Sequence, residues 1–377
     1  MGDPSTELLI KTLSEDAAEQ TSEKYLLLIA DEHFSYTILN RLQNLPIILL
    51  TNRFDVAHAA DAAQISYYLN DFDFTEIKQS FTTVYYRVSK EKPIVHHIIN
   101  QSIAALTAEQ GRLVLTGEKS EGIKGYGDRI KKNFKLAADH KKLGNQYLVQ
   151  THITADNNQI QNLLDTKNYN QTQLITHLTS NFSASKETTD IAIYSKPGVY
   201  GWNKVDQGSQ FLATHLKDWL TTSFETSPKK ALDLGCGYGY LSIALWKTIQ
   251  SLEENIDFGT DLELDATDNN IASVALCKTN FEANHIKGSC VLDDCGSQLK
   301  PGYQAIICNP PFHQGFQIDD ELSLKFLKQI SHLLGKNGKA IIVVNEFLAI
   351  EKKAQPLFSA IHLIAKNKTF KLLELTK

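Results

Sequence analysis

Short runs in which nearly every position is apolar alternate along the chain with stretches whose apolar residues recur every three or four positions. That alternation is the pattern of buried parallel strands joined by helices. In the first half, Lys24–Asp31 (KYLLLIAD), Pro46–Asn52 (PIILLTN), Phe81–Val88 (FTTVYYRV) and Gly111–Glu118 (GRLVLTGE) read as strands. The segment KPIVHHIINQSIAALTAE, between the last two, reads as a helix. A polar stretch, Thr179–Asp190 (TSNFSASKETTD), is the candidate linker. The second half resumes with KKALDLGCGYGYLSIALW, ATDNNIASVALCKTNFEAN, AIICNPPFHQG and GKAIIVVNEFLAI, and IHLIAKNKTFKLLEL predicts a closing hairpin. The expected fold class is α/β, in two tandem domains, 1–185 and 186–377.

Composition narrows the class without naming a chemistry. The 377 residues suit two domains, and 42% hydrophobic with 21% charged residues is ordinary for a globular protein. Apolar runs such as Tyr25–Ala30 are too short to span a bilayer. Asp3, Glu7 and Glu15 near the start, with no apolar core, do not fit a secretory signal. Five cysteines without a CxxC pair point to reduced thiols in a cytoplasm, not to a disulfide frame or a zinc site. A net charge of −5 argues against a generally basic coat but permits a local basic patch.

One such patch is expected. The segment GRLVLTGEKSEGIKGYGDRIKKNFKLAADHKK carries nine Lys/Arg against four Asp/Glu, with Lys131, Lys132 and Lys135 at its centre. Phosphate attraction needs only a local surplus of this kind. A solvated helix face is the alternative.

The second half carries the chemistry. In ALDLGCGYGYLSIAL, a strand runs into Gly235, Cys236, Gly237 and Gly239 and then into a helix. Such a turn lets backbone approach a ligand and aims helix N-terminal amides at it. The spacing is G-x-G-x-G, not the G-x-G-x-x-G of dinucleotide enzymes, and Asp233 suits a ligand bearing an amino group rather than a pyrophosphate. A nucleoside site would continue with an acid for the ribose hydroxyls. Asp268 fits, with Asp265 and Asp261 as rivals, although Asp268 also stands where a helix N-cap belongs. Asp294 is the candidate acceptor for an adenine amine, with Asp293 as its alternative.

The strand AIIC ends abruptly on Asn309, Pro310, Pro311 and Phe312. Prolines lack N–H groups and hold φ fixed, so neighbouring carbonyls stay free and rigid. The Asn309 side-chain carbonyl and the Pro310 backbone carbonyl can accept both hydrogens of a planar exocyclic amine, while Phe312 stacks on the base bearing it. Asn309 is also a candidate cofactor contact. Together with the glycine loop, this predicts methyl transfer from a sulfonium donor to an amine. His313 is a candidate substrate contact or an exposed loop residue.

The strings DLGCGYG and NPPF together resemble class I methyltransferases that use S-adenosylmethionine. NPPFHQG and YSKPGVYGWNKVDQGSQFL are similar to motifs of bacterial small-subunit rRNA guanine-N2 methyltransferases of the C type, and NKTFKLLEL to their closing strand. The likeness runs from about Tyr194 to Leu375, and more weakly through VYYRVSKEKP and LVLTGEKSEGIK in the first half. It implies two tandem Rossmann-like methyltransferase domains. The N-terminal one would be degenerate, binding RNA or serving structure; the C-terminal one would be catalytic, with a seven-stranded, mostly parallel sheet. It also implies a monomer using S-adenosylmethionine and no metal, acting away from membranes on a guanine N2 in 16S rRNA or the 30S subunit. Three departures stand out: a longer connection, SLEENIDFGTDLELD, before Asp268; Gln304 where the family has Asp; and NEFLAI, ending in Ile350, in place of N-x-F-L-P-Y. Adenine-N6 or glutamine-amide methylation, or a non-catalytic RNA-binding assembly factor, are the competing readings.

Overall fold

The computed structural model describes residues 3–19, 24–32, 34–106, 110–153, 163–164, 168–175, 191–256, 261–311, 313–314, 317–318 and 320–377. The chain divides into two compact units, Met1–Gln171 and Thr172–Lys377. That division falls ahead of the expected 185/186. The cause is a short antiparallel pair, Gln173↔Ser195 and Leu174↔Tyr194, which ties residues before the polar stretch to the second unit. The candidate linker, 179–190, lies outside the described residues.

In the first unit, β1 (Tyr25–Ala30), β2 (Ile47–Thr51), β3 (Ser66–Leu69), β4 (Phe81–Arg87), β5 (Arg112–Glu118), β6 (Asp139–Leu143) and β7 (Gln146–His152) form one sheet. Its order is β3-β2-β1-β4-β5-β7-β6. The first five strands are parallel, and the β6–β7 hairpin closes the sheet antiparallel. Near-continuous apolar runs make β1 and β2 central because both faces of a parallel sheet are covered. Leu27, Ile29, Val84 and Tyr86 face α3 (Lys92–Leu106) and α4 (Ile123–Phe134). Their chain neighbours Leu26, Leu28 and Tyr85 face α1 (Pro4–Glu19) and α2 (Phe54–Ala62).

The second unit opens with β8 (Gln173–Leu174), β9 (Tyr194–Ser195) and α5 (Gln207–Ser223). Then follow β10 (Lys230–Leu234), α6 (Tyr240–Ile256), β11 (Glu263–Asp268), α7 (Ile271–Ala283), β12 (Cys290–Leu292) and β13 (Tyr303–Cys308). A small pair, β14 (His313–Gln314) and β15 (Gln317–Ile318), precedes α8 (Asp320–Leu333), β16 (Leu334–Asn345), α9 (Ile350–Ala354), β17 (Ala360–Lys366) and β18 (Phe370–Thr376). The sheet order β12-β11-β10-β13-β16-β18-β17 repeats that of the first unit strand for strand, including its antiparallel closing hairpin. Ala231, Ala305, Ile307 and Ile341 pack under α5, α6 and α7, whereas Leu232, Leu234, Ile306 and Ile342 pack under α8 and α9.

In both sheets the chain moves outward from the first strand and then returns to that strand's other side. The carboxyl ends of β10 and β13 therefore flank a switch point, the position where open α/β sheets bind ligands. The matching place in the first unit is filled by its own side chains. Tyr86 donates to Asp31 at 2.7 Å, and Arg87 reaches Asp3 at 2.8 Å and Glu121 at 2.6 Å. Burial alone would raise the Asp3 carboxyl, but its bonds to Arg87 and Thr6 outweigh that and hold it at about 2. No described helix is long and apolar enough to cross a membrane.

Candidate active site at the switch point

β10 ends at Leu234, and the chain turns through Gly235, Gly237 and Gly239, with φ of 80°, 55° and 89°, into α6. Only glycine adopts three such left-handed positions in so short a turn without strain. The amides of Gly235 and Cys236 both donate to the Thr267 carbonyl at 2.9 Å, tying the loop to β11. A Cβ on Gly239 would stand 2.9 Å from Cys277 Sγ, so this glycine serves helix packing. A Cβ on Gly237 would meet nothing within 4 Å among the described residues, so the loop is open there. Cys236 is buried against Cys277 and offers a ligand only its backbone. All five cysteines are free thiols.

Asp233 lies wholly buried beneath the loop. Ser242 donates to its Oδ2 at 2.6 Å, while the buried Oδ1 accepts no hydrogen bond among the described residues. Burial, reinforced by the negative charge of Asp268, pushes this carboxyl up to about 7.

The three rival ribose acids separate in space. Asp261 is exposed before β11 begins, away from the carboxyl end. Asp265 is buried within β11 and accepts from Ser289 Oγ at 2.5 Å and Tyr303 Oη at 2.8 Å. Asp268 alone stands beside the glycine loop, its Oδ2 accepting from the Gly237 amide at 2.8 Å. Its Oδ1 accepts from the Asn270 amide at 2.9 Å. The N-cap of α7 is Asn270, whose side chain takes the Ala272 amide, so the capping role open to Asp268 belongs two residues on.

Asp293 and Asp294 also part ways. Asp293 is fully buried and spends its oxygens on Ser297 Oγ and the Gln298 amide at 2.7 and 2.9 Å. Asp294 is partly exposed and ion-paired with Lys325 of α8. Of the two, only Asp294 reaches the surface.

Asn309 follows β13 directly, next to the glycine loop. Its Nδ2 donates to Asp206 Oδ2 and to Ser209 Oγ, each at 2.8 Å. Both amide hydrogens are engaged, and the side-chain oxygen accepts no bond among the described residues. Pro310 is buried and its carbonyl is likewise unclaimed among them. Phe312 lies outside the described residues, as does the His313 side chain, whose backbone belongs to β14.

Two of the departures from the family pattern resolve as structure. Gln304 sits at the amino end of β13, where its Oε1 takes the Lys229 amide at 2.6 Å, far from the switch point. Ile350, the first residue of α9, is buried in the core. The fold also brings Asp206, Ser209 and Tyr200 to the site, beyond the residues expected there. Their sequence signal is the family-like segment YSKPGVYGWNKVDQGSQFL, in which VDQGS read by itself is an ordinary helix-start pattern. Among the described residues no cluster of His, Cys, Asp and Glu is placed to hold a metal ion.

In the first unit, Lys131 and Lys132 occupy the exposed last turn of α4, and Lys135 caps it in a left-handed conformation with φ of 57°. Lys141 and Lys142 stand exposed on the edge strand β6.

Residues 190–374 match the family model of the methyltransferase small domain. Ribosomal RNA small subunit methyltransferase C of Shewanella loihica is 24% identical over 294 residues, which is 78% of this chain and 77% of its own length. Ribosomal RNA large subunit methyltransferase G of Vibrio parahaemolyticus is 29% identical over 197 residues, 51% of this chain and 47% of its own. Among solved structures, a T. thermophilus 16S rRNA N2 G1207 methyltransferase in complex with AdoMet and guanosine matches with a TM-score of 0.76 at 20% identity. The match covers 100% of this chain and 92% of that one, and shows that the tandem fold is shared.

Proposed function

We propose that this chain, which resembles S-adenosylmethionine-dependent ribosomal RNA methyltransferases, methylates the exocyclic N2 amine of a guanine in 16S rRNA. The observation that carries the reading is Asn309. Its amide is fixed at the switch point beside an open glycine loop, with the carbonyl oxygen left for a donor. The named target of the T. thermophilus protein, G1207, is the guanine expected here.

The cofactor is S-adenosylmethionine, which supplies an electrophilic methyl group on a sulfonium centre. The residues present fit it. The orphaned Asp233 Oδ1 and the empty space over Gly237 form a cradle for an ammonium-bearing ligand. Asp268 would hold the ribose hydroxyls and Asp294 the adenine amine. Asn309 and the Pro310 carbonyl accept the two hydrogens of the target amine and hold it in line, and Phe312 stacks on the base. Alignment and fixed acceptors lower the barrier without a strong base, and the amine proton leaves to solvent after transfer. Phosphates of the RNA are drawn by Lys131, Lys132 and Lys135.

A large-subunit guanine is the second reading, favoured by the relative named for that subunit. Labelled methyl transfer to 16S rRNA, 30S particles, large-subunit rRNA and DNA, followed by nucleoside analysis, tests both. N2-methylguanosine from 16S rRNA or 30S particles supports the proposal; label only in large-subunit rRNA transfers it, and label only in adenine of DNA ends it.

A further inference from the structure

Asp206 is 103 residues from Asn309 in the chain, yet its Oδ2 lies 2.8 Å from the Asn309 amide nitrogen. The same oxygen accepts the Ser209 amide at 2.8 Å as the N-cap of α5. The other oxygen, Oδ1, accepts Tyr200 Oη at 2.8 Å, and the Tyr200 ring is 77% exposed. Three donors thus fix one carboxylate, and that carboxylate fixes Asn309.

An asparagine amide can face either way about its last torsion, presenting oxygen or NH2 to a ligand. Only the first orientation accepts the hydrogens of a target amine. The Ser209 hydroxyl both donates and accepts, so it tolerates either orientation. An ionised carboxylate accepts only, and its bond to an N–H is charge-assisted, so it admits only the NH2 side. We propose that Asp206 is a positioning residue that selects the productive amide orientation of Asn309, with Tyr200 bracing its far oxygen. The proposal rests on the reading that Asn309 addresses the acceptor amine.

Gly208 is part of the device. A Cβ there would stand 3.0 Å from Asp206 Oδ2, 3.3 Å from the Phe370 ring and 3.5 Å from Asn309 Oδ1. The close approach of carboxylate and amide needs a residue without a side chain between them.

The test uses the full chain, labelled S-adenosylmethionine and 16S rRNA, with kcat, KM and cofactor Kd measured separately. Asp206→Ser keeps a capping oxygen for the Ser209 amide but is too short to reach Asn309. It should lower kcat by about 10- to 100-fold while cofactor Kd and thermal unfolding stay near wild type. Asp206→Asn keeps a neutral oxygen facing both donors and should restore kcat to within a few-fold. In an Asn309→Ala background, Asp206→Ser should cost nothing more, because the residue it positions is gone. Normal kcat in Asp206→Ser while Asn309→Ala is inactive would overturn this proposal alone. Normal kcat in Asn309→Ala would overturn it together with the role given to Asn309. A full multiplicative loss in the double variant would also overturn it. Should Asp206→Ser fail to fold, Gly208→Ala crowds the same contact with the cap intact and should give the same loss of kcat.

Discussion

The duties proposed for two side chains at the switch point are separable, and their substitution should separate binding from turnover. Asn309→Ala removes an acceptor for the target amine, while the glycine loop, Asp233, Asp268 and Asp294 remain to hold cofactor. Turnover should fall at least a hundredfold, about 3 kcal/mol of barrier, with cofactor affinity within a few-fold; calorimetry beside single-turnover rates checks both. Asp233 answers to pH instead. Its folded carboxyl titrates at about 7, above the ordinary 3.8, so the unligated protein takes up a proton on folding between those values. Its stability therefore falls as pH rises through that window. An ammonium-bearing ligand favours the ionised form, so binding should release a proton and strengthen by up to about tenfold per pH unit below pH 7, then level off. Calorimetry at about pH 6 in two buffers of different ionisation enthalpy measures that release. Asp233→Asn should abolish it, and no release from the wild type would place the ammonium elsewhere.

At the scale of elements, the glycine loop is a tight turn between β10 and α6 braced from β11, and its glycines should fail in different ways. Gly237 holds a left-handed φ of 55°, and a Cβ there would have nothing within 4 Å. Gly237→Leu should cost only about 1–2 kcal/mol of stability while filling the ligand space and abolishing binding. Gly239→Ala drives a carbon to 2.9 Å from Cys277 Sγ and should cost stability first. Thermal unfolding alongside cofactor titration distinguishes them. Asp268→Ala loses both the proposed ribose contact and the brace on the Gly237 amide, and should weaken binding by about 1–3 kcal/mol. Full affinity in that variant would remove Asp268 from the ribose. These elements were legible because buried parallel strands write near-continuous apolar runs, as in β1, β2 and β13. Edge strands do not: every side chain of β3 is at least partly exposed, and β6, DHKKL, reads as a polar run. The site was half legible for a related reason. Glycine loop and Asn-Pro-Pro corner are contiguous strings, whereas Asp206 reads locally as a helix cap and meets Asn309 only through the fold.

Across the whole molecule, one strand order occurs twice, and among the described residues the glycine loop of the second copy leaves open space over Gly237 at its switch point. In the first copy Arg87, Asp3, Glu121, Tyr86 and Asp31 bond to one another across that place. On the proposed reading, cofactor and chemistry belong to residues 172–377 and the first unit acts through its surface. Expressed from about Thr172, the second unit should bind cofactor with near-normal affinity, since every residue proposed to touch it lies there. It should methylate poorly, because a chain with net charge −5 needs local cations to attract phosphates and the exposed Lys131, Lys132 and Lys135 are in the other unit. Reversing those three to Glu in the full chain should leave cofactor affinity unchanged and weaken RNA binding. The slope of log affinity against log salt should also flatten by roughly 0.7–0.9 for each phosphate that the protein no longer neutralises. A helix face that is merely solvated would leave that slope where it was. Unaltered RNA affinity and salt dependence in the triple variant would remove the phosphate-binding role and leave the first unit a structural partner of the second.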